Sequence, residues 1–324
     1  MLRTAICDLL GIRYPIFCAP MGFVTGAELA AAVSQAGGFG ILQAGSRTPA
    51  ALRVEIGRIR SLTDQLFGVN FIQHFPHDAG VDVCLEERVG AISFFWGDPR
   101  RFVERAHRQG VRVIDQVGSV EDARRDADSG VDIVIAQGFE AGGHVAGTVS
   151  TLALVPRVVD AIAPVPVAAA GAIADSRGIV AALALGAQAA VLGTRFLASL
   201  ESTAHPEYKQ RVVSAGESDT VHTTLFNREW PGAPHRVLRT PFVERGDVSG
   251  SEAIGRLSLG KDQVPLFAGT SIPPTSATTG EIDSMALYAG QGVGLVNQVQ
   301  AASEIMRDLV AGAERILASL GAGA

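Results

Sequence analysis

The sequence predicts an α/β protein, a closed (β/α)8 TIM barrel carrying a smaller inserted cap, and three observations lead there. Eight short runs rich in Val, Ile, Ala and Phe, bounded by Gly or Pro, recur over about 200 residues with room for a helix between neighbours. The runs are nearly continuous in apolar residues rather than alternating, as strands buried on both faces of a parallel sheet must be. Eight such units in that length fit a closed barrel better than an open doubly wound sheet.

The strand runs are Pro15–Pro20, Phe39–Gln43, Phe67–Ile72, Ala91–Trp96, Val111–Val117, Asp132–Gln137, Val165–Ala170 and Ala189–Arg195. After the first, Thr25 and Glu28 have capping-box spacing ahead of an apolar face, which marks a helix start. Helical patterns follow at about 48–62, 98–109, 119–129, 152–162 and 175–186, with a weaker one at 79–88. Gly37-Gly38-Phe39-Gly40 precedes a strand instead of opening a helix, so a Rossmann fingerprint is not formed. From His205 to Asp283 the periodicity thins and prolines accumulate, among them Pro206, Pro231, Pro234, Pro241, Pro273 and Pro274. A segment that long is more than a connection, and it is expected to form a cap over residues 205–283, with the barrel at 1–204 and 284–324. The alternative is an extended surface decoration. Met285 to Leu320 reads as a helical segment with Leu309, Ile316 and Leu317 on one face, closing the outer layer.

Composition narrows the function classes. With 47% apolar and 19% charged residues the chain is globular, and 27 basic against 33 acidic residues give a net charge of −6. No basic block suggests nucleic acid or an anionic membrane as partner, so a small molecule is expected. Cys7, Cys18 and Cys84 lack Cys-x-x-Cys spacing, which suits a reducing cytoplasm and offers neither a disulfide framework nor a zinc site. Arg3 and Asp8 interrupt any signal-peptide core, and Arg157, Asp160 and three prolines interrupt the longest apolar stretch, Leu152 to Ala174. No metal site is expected: His74 and His77 flank Phe75-Pro76, and a proline there keeps them off one helix face. His107, His205, His222 and His235 show no partner pattern, although the last two fall in the cap.

The chemistry concentrates at strand ends. Strand seven runs into Gly171-Ala172 and strand eight into Gly193-Thr194, where backbone amides of a barrel often cradle phosphate. Asn70, Gln116 and Gln137 are amides with both donors and acceptors, suited to the edge of a heteroaromatic cofactor. Each alone also fits a satisfied buried side chain or a plain turn glycine. After strand six comes Gln137-Gly-Phe-Glu-Ala-Gly-Gly-His144, which brings a close-packing backbone and a histidine to the same mouth.

These stretches, together with Ala19-Pro20-Met21, Gly68-Val69-Asn70, Gly193-Thr194-Arg195-Phe196 and Tyr288-Ala-Gly-Gln-Gly-Val-Gly-Leu295, resemble the nitronate monooxygenases, formerly 2-nitropropane dioxygenases. The resemblance spans most of the chain. Its Glu-Ala-Gly-Gly-His run is shared with flavin-dependent enoyl-acyl carrier protein reductases, so it fixes the cofactor better than the reaction. The resemblance implies FMN on the barrel, with Ala19, Pro20, Met21, Gly22, Asn70, Gln116, Gln137, Ala141, Gly142, Gly143, Tyr288 and Gln291 around it. It further implies that Gly171, Ala172, Gly193 and Thr194 hold the phosphate and that His144 is catalytic. The family pattern has two glycines after strand seven; Ala172 departs from it, which is tolerable only if that position does not require positive φ.

The activity implied is oxidation of alkyl nitronates, or nitroalkanes through them, with O2 to a carbonyl compound and nitrite. A neutral imidazole can take the α-proton, and an imidazolium can steady a nitronate anion. The Trp230-to-Leu238 stretch and the cap length lean toward the monooxygenases. The alternatives are an FMN-dependent NAD(P)H enoyl-thioester reductase, a relative with a specialised substrate, and a flavin-binding protein without turnover. The oligomeric state stays open, with a homodimer among the options.

Overall fold

Leu, Val, Ile and Ala runs that cannot tolerate water on either face require a sheet covered all round, and the chain answers with a closed barrel. A computed structural model of the chain describes residues 2–45 and 47–321. The barrel strands are β1 (Ile16–Cys18), β2 (Phe39–Gln43), β3 (Gly68–Ile72), β4 (Ala91–Phe95), β5 (Arg112–Val117) and β6 (Ile133–Gln137). A two-residue strand outside the barrel, β7 (Gly143–His144), comes next, and β8 (Val167–Ala170) and β9 (Ala189–Leu192) complete the barrel. All neighbours are parallel, and β9 closes on β1 through Ile16↔Ala190, Phe17↔Val191 and Cys18↔Leu192.

A short helix that the apolar pattern did not reveal, α1 (Ala5–Leu10), stoppers the end where the strands begin. Its Ile6, Cys7 and Leu10 are buried with the inward-facing Phe17, Phe39, Ile41, Ile133 and Ile135. The Thr4 hydroxyl donates to Gln188 O, just ahead of β9, at 2.6 Å. Six residues are too few to show a helical period, which is why only the fold reveals this element.

The outer layer runs α2 (Ala27–Gln35), α3 (Pro49–Leu62), α4 (Asp78–Glu86), α5 (Arg100–Arg108), α6 (Val120–Asp128), α7 (Thr151–Ile162) and α8 (Ser176–Ala184). The weak pattern at 79–88 is thus a real helix. α2 lacks the expected capping box: Gly26 is its N-cap and no side chain caps it. The Thr25 hydroxyl is spent elsewhere, donating to Ala19 O at 2.9 Å and accepting from Met21 N at 3.0 Å. It therefore fixes the loop leaving β1. The eighth strand also stops at Leu192, short of Arg195, because a one-turn helix, α9 (Thr194–Leu197), begins there.

Residues 205–283 are mostly structured. They hold α10 (Pro206–Ser214), β10 (Thr220–Thr223), β11 (His235–Leu238), α11 (Pro241–Arg245), β12 (Ala253–Leu259), β13 (Asp262–Phe267) and β14 (Thr278–Gly280). β12 pairs with β13 and β14, while β11 pairs with β10 on one side and with β7 on the other. Tyr208, Val212, Leu238, Leu257 and Leu266 share one apolar cluster with Val24, Ala174 and Leu197 from the barrel's loops. The long C-terminal helix expected from Met285 shrinks to α12 (Ala302–Gly321). Residues 285–301 hold only a short 3-10 helix, Gln291–Leu295, with Leu287 O accepting from Leu238 N and Tyr288 bridging Val237 ahead of it. Pairing alongside β11 overrides helix there. On α12 Leu309 is buried, Ile316 half-buried and Leu317 exposed.

Candidate active site

One cavity of about 570 Å³ opens at the carboxyl end of the barrel, within the range of small-molecule sites. It is lined by Ala19, Pro20, Met21, Gly22, Asn70, Gln116, Gln137, Ala141, Gly142, Gly143, His144, Gly171, Ala172, Gly193, Thr194 and Tyr288. Gln291 is the candidate that does not reach it. Its side chain is exposed and its N–H donates to Glu140 O at 2.9 Å, so it pins a loop.

The glycine-rich run is shaped by close approach. A Cβ on Gly142 would sit 2.5 Å from Gly290 N, so only glycine lets the 288–292 segment lie against it. Glu140 turns away from the cavity and caps α7, its carboxylate accepting from Thr151 N at 2.9 Å. The run then enters β7, where Gly143↔Arg236 and His144↔His235 pair with β11. His144 is thus held by a sheet rather than carried on a free loop. Gln137, the last residue of β6, donates Nε2 to His144 O at 3.0 Å.

Two buried acceptors face the cavity without partners, Gln137 Oε1 and Gln43 Oε1. A buried, unpaired carbonyl oxygen is costly, so these positions call for a ligand that carries N–H donors. Asn70 is partly committed, its amide donating to Ser93 O and Oγ at 3.3 and 3.2 Å. At the corner where the sequence leads one to expect a phosphate, the backbone amides of Gly171, Ala172, Gly193 and Thr194 donate to no other group among the described residues. Gly171 and Ala172 are both left-handed, at φ +121° and +53°. The position after β8, the seventh barrel strand, does require positive φ, so alanine there is strained. The Thr194 hydroxyl accepts from Gly290 N at 3.0 Å, which ties the late segment to this corner. Free amides at one end and orphaned acceptors at the other fit a phosphate-bearing heteroaromatic ring such as FMN.

His144 sits in an aromatic nest. Its ring stacks on Trp230 at 4.3 Å between centroids and meets His235 at 5.3 Å, Tyr288 at 5.6 Å and Trp96 at 6.4 Å. Burial, and secondarily the nearby His235, lowers its pKa to about 3, so the imidazole is neutral at physiological pH. Nε2 is buried without a partner and no bond to Nδ1 occurs among the described residues, so on this cavity-lining residue Nδ1 is the ring nitrogen left accessible. His235 is fully buried; its Nε2 accepts from Phe226 N at 3.2 Å and its Nδ1 donates to Ala233 O at 3.0 Å. Burial holds His235 down to about 4.

Several lining residues escaped the sequence reading. Gln43 ends β2 just as Gln137 ends β6, and the same strand-end reasoning would have found it. Phe71, Phe75, Trp230 and Tyr208 form the apolar wall, and only the folded chain brings them together. His74 and His77 part company: His74 stacks on Trp230 at 5.2 Å, while His77 Nδ1 donates to Phe75 O at 2.6 Å.

A family model described as nitronate monooxygenase matches residues 3–79 and 72–312. Among curated proteins, the (3aS,4S,5R,7aS)-5-hydroxy-7a-methyl-1-oxo-octahydro-1H-indene-4-carboxyl-CoA dehydrogenase of Mycobacterium tuberculosis is 42% identical over 258 residues, covering 78% of this chain and 71% of that one. The nitronate monooxygenase of Pseudomonas aeruginosa is 33% identical over 351 residues, covering 93% of this chain and 97% of its own. Among solved structures, FabK from Thermotoga maritima superposes with a TM-score of 0.85 at 36% identity, covering 100% of both chains.

Proposed function

The chain belongs to the nitronate monooxygenase family of oxidoreductases, and from that premise we propose that its cavity binds FMN. We further propose that the enzyme oxidises alkyl nitronates, and nitroalkanes through them, with O2 to a carbonyl compound and nitrite. The observation that carries this reading is His144, an uncharged and unpaired imidazole on an apolar wall beside the candidate flavin pocket.

In this reading Gly171, Ala172, Gly193 and Thr194 hold the phosphate through their amides, and the Gln43 and Gln137 amide oxygens accept from the cofactor's N–H and hydroxyl donors. Ala19, Pro20, Met21, Gly22, Asn70, Gln116, Ala141, Gly142, Gly143 and Tyr288 complete the enclosure. FMN, when bound, supplies the electron acceptor. His144 takes the α-proton of a nitroalkane at Nδ1, an action open only to a neutral imidazole. A nitronate, already an anion, needs no such step. Residues 205–283 act as the cap that selects substrate, and Trp230, Phe75 and Tyr208 keep water from the anion. The three cysteines are free and buried, in keeping with a cytoplasmic enzyme, and among the described residues no helix is long and apolar enough to cross a membrane.

A second reading rests on the 42% identity to a protein named as a carboxyl-CoA dehydrogenase and on the apolar side chains of Phe71, Phe75 and Trp230 in the cavity lining, which suit an acyl group. An acyl-thioester oxidoreductase would use the same base, because carbon beside a thioester carbonyl is also acidic, and an enoyl-thioester reductase would run the transfer in reverse, with the histidine returning a proton to that carbon. One experiment separates the two. Under anaerobic conditions the flavin absorbance is followed on adding propyl nitronate, NADH or an acyl-CoA, and nitrite is measured after admitting air. Bleaching by the nitronate with nitrite release supports the first reading. Bleaching by NADH or the acyl-CoA alone, with no nitrite, overturns it in favour of the second.

A further inference from the structure

His144 has an unusual setting for a base. No carboxylate touches it among the described residues, so nothing on the chain's own surface compensates the charge it gains on taking a proton. The groups around it can be taken element by element. His235 on β11 has both ring nitrogens committed to backbone and stays neutral, and His222 on β10 lies beyond it. Tyr288 donates its hydroxyl to Ser271 O at 2.9 Å. Glu229, next in sequence to Trp230, accepts from the Thr270 hydroxyl and from Ser271 N and Oγ. His74 reaches the far face of Trp230 but not His144. What does cover the imidazole is the indole of Trp230, 4.3 Å away at an interplanar angle of 29°.

We propose that Trp230 is a positioning residue that sets the basicity of His144, its electron-rich face stabilising the imidazolium formed when the substrate's α-proton is removed. In that step a C–H bond breaks, an N–H bond forms at Nδ1, and the electron pair remains on the substrate carbon. A cation over the face of tryptophan within about 6 Å of its centroid is attracted by the ring quadrupole, most strongly where water is excluded. The position is built for contact: Trp230 is 3% exposed and is gripped by His74 at 5.2 Å, Phe75 at 5.6 Å and Trp96 at 4.8 Å. Trp96 itself adopts φ +67°, a costly backbone for so bulky a residue. Burial alone pushes the imidazole toward a pKa too low for an efficient base, and the stacked indole opposes that push.

The inference rests on His144 as proton acceptor, and its test is chosen to stand apart from turnover. The His144 titration is read by NMR of 13C-labelled histidine in the full-length protein as purified, assigned by loss of its signal in His144→Gln. Trp230→Leu admits water and removes the π face, and these act in opposite directions. If the indole face dominates, the His144 pKa falls by about one pH unit, roughly tenfold in proton affinity. Trp230→Phe is expected between wild type and Trp230→Leu. In a Trp96→Phe background, mono-, di- and trifluorotryptophan at position 230 keep the shape and weaken the face, so the pKa should step down along the series. This arm decides the matter even if Trp230→Leu fails to fold. A pKa that rises or holds in Trp230→Leu, or shows no trend with fluorination, overturns the proposal. In turnover, the acid limb of kcat/KM for nitroethane should follow the NMR pKa, while oxidation of preformed nitronate should not respond. If neither compound is turned over, the proposed activity falls and the NMR titration still decides the role of Trp230.

Discussion

An imidazole buried away from water and beside His235 resists protonation, and that resistance links stability to pH. The folded-state pKa values of His144 and His235, about 3 and about 4, lie below the unfolded value of about 6.5. Below pH 6.5 the unfolded chain therefore binds more protons, so stability present above that pH is lost as pH falls toward 4. Each histidine contributes a slope of up to about 1.4 kcal/mol per pH unit in that window. Denaturant melts at pH 7.5 and 5.0 should show the loss, and His144→Gln should lessen it. The same substitution should cut turnover of nitroalkanes by roughly 10²–10⁴-fold, the usual worth of a general base, while flavin absorbance stays. Ala172 makes a different case. Alanine held at φ +53° is strained by about 1–3 kcal/mol, and the unfolded-state entropy that glycine adds returns about 0.4–1 kcal/mol of that. Ala172→Gly should raise ΔG of unfolding by about 1 kcal/mol in urea melts of ligand-free protein.

Among elements, the loop after β1 and the strand β7 depend on bonds that no local pattern announces. Thr25 reads as a helix cap from its spacing with Glu28, yet its hydroxyl ties Ala19 O to Met21 N. Thr25→Val removes both bonds and leaves the half-buried Met21 N–H unpaired, a cost of about 1 kcal/mol. It should also weaken FMN binding, measurable by flavin fluorescence on dilution, because Ala19 to Gly22 line the cavity. The eight strands were legible since burial on both faces leaves a continuous apolar signature in each. Gln116 and Gln137 were legible as polar residues ending such runs. β7 was not, because two residues carry no period, and its partner β11 lies about ninety positions away in sequence.

For the molecule as a whole, the barrel has a stoppered end and a working end. α1 fills the first, and Leu10→Ala should cost about 2–5 kcal/mol in urea melts, as for other fully enclosed leucines. Because that end lies across the barrel from the cavity, KM should stay unchanged at temperatures where the variant is folded. The working end is shared: the barrel's strand ends and the turns after them supply Gln137, Gly171 and Thr194, while residues 205–283 bring Trp230 and His235 against the β7 histidine.

By itself the sequence determined the barrel, the order of its strands and the residues at their carboxyl ends, because strand burial and strand-end polarity are written in short consecutive runs. It also carried the motifs that point to the family. Only the tertiary structure decided that the Gly143–His144 pair is a strand, that Ala172 is left-handed, that Gln291 turns outward and that Trp230 stacks on His144. Those outcomes depend on contacts between segments far apart in the chain, and dihedral angles and ring stacking follow from such contacts, not from the identity of neighbours in sequence.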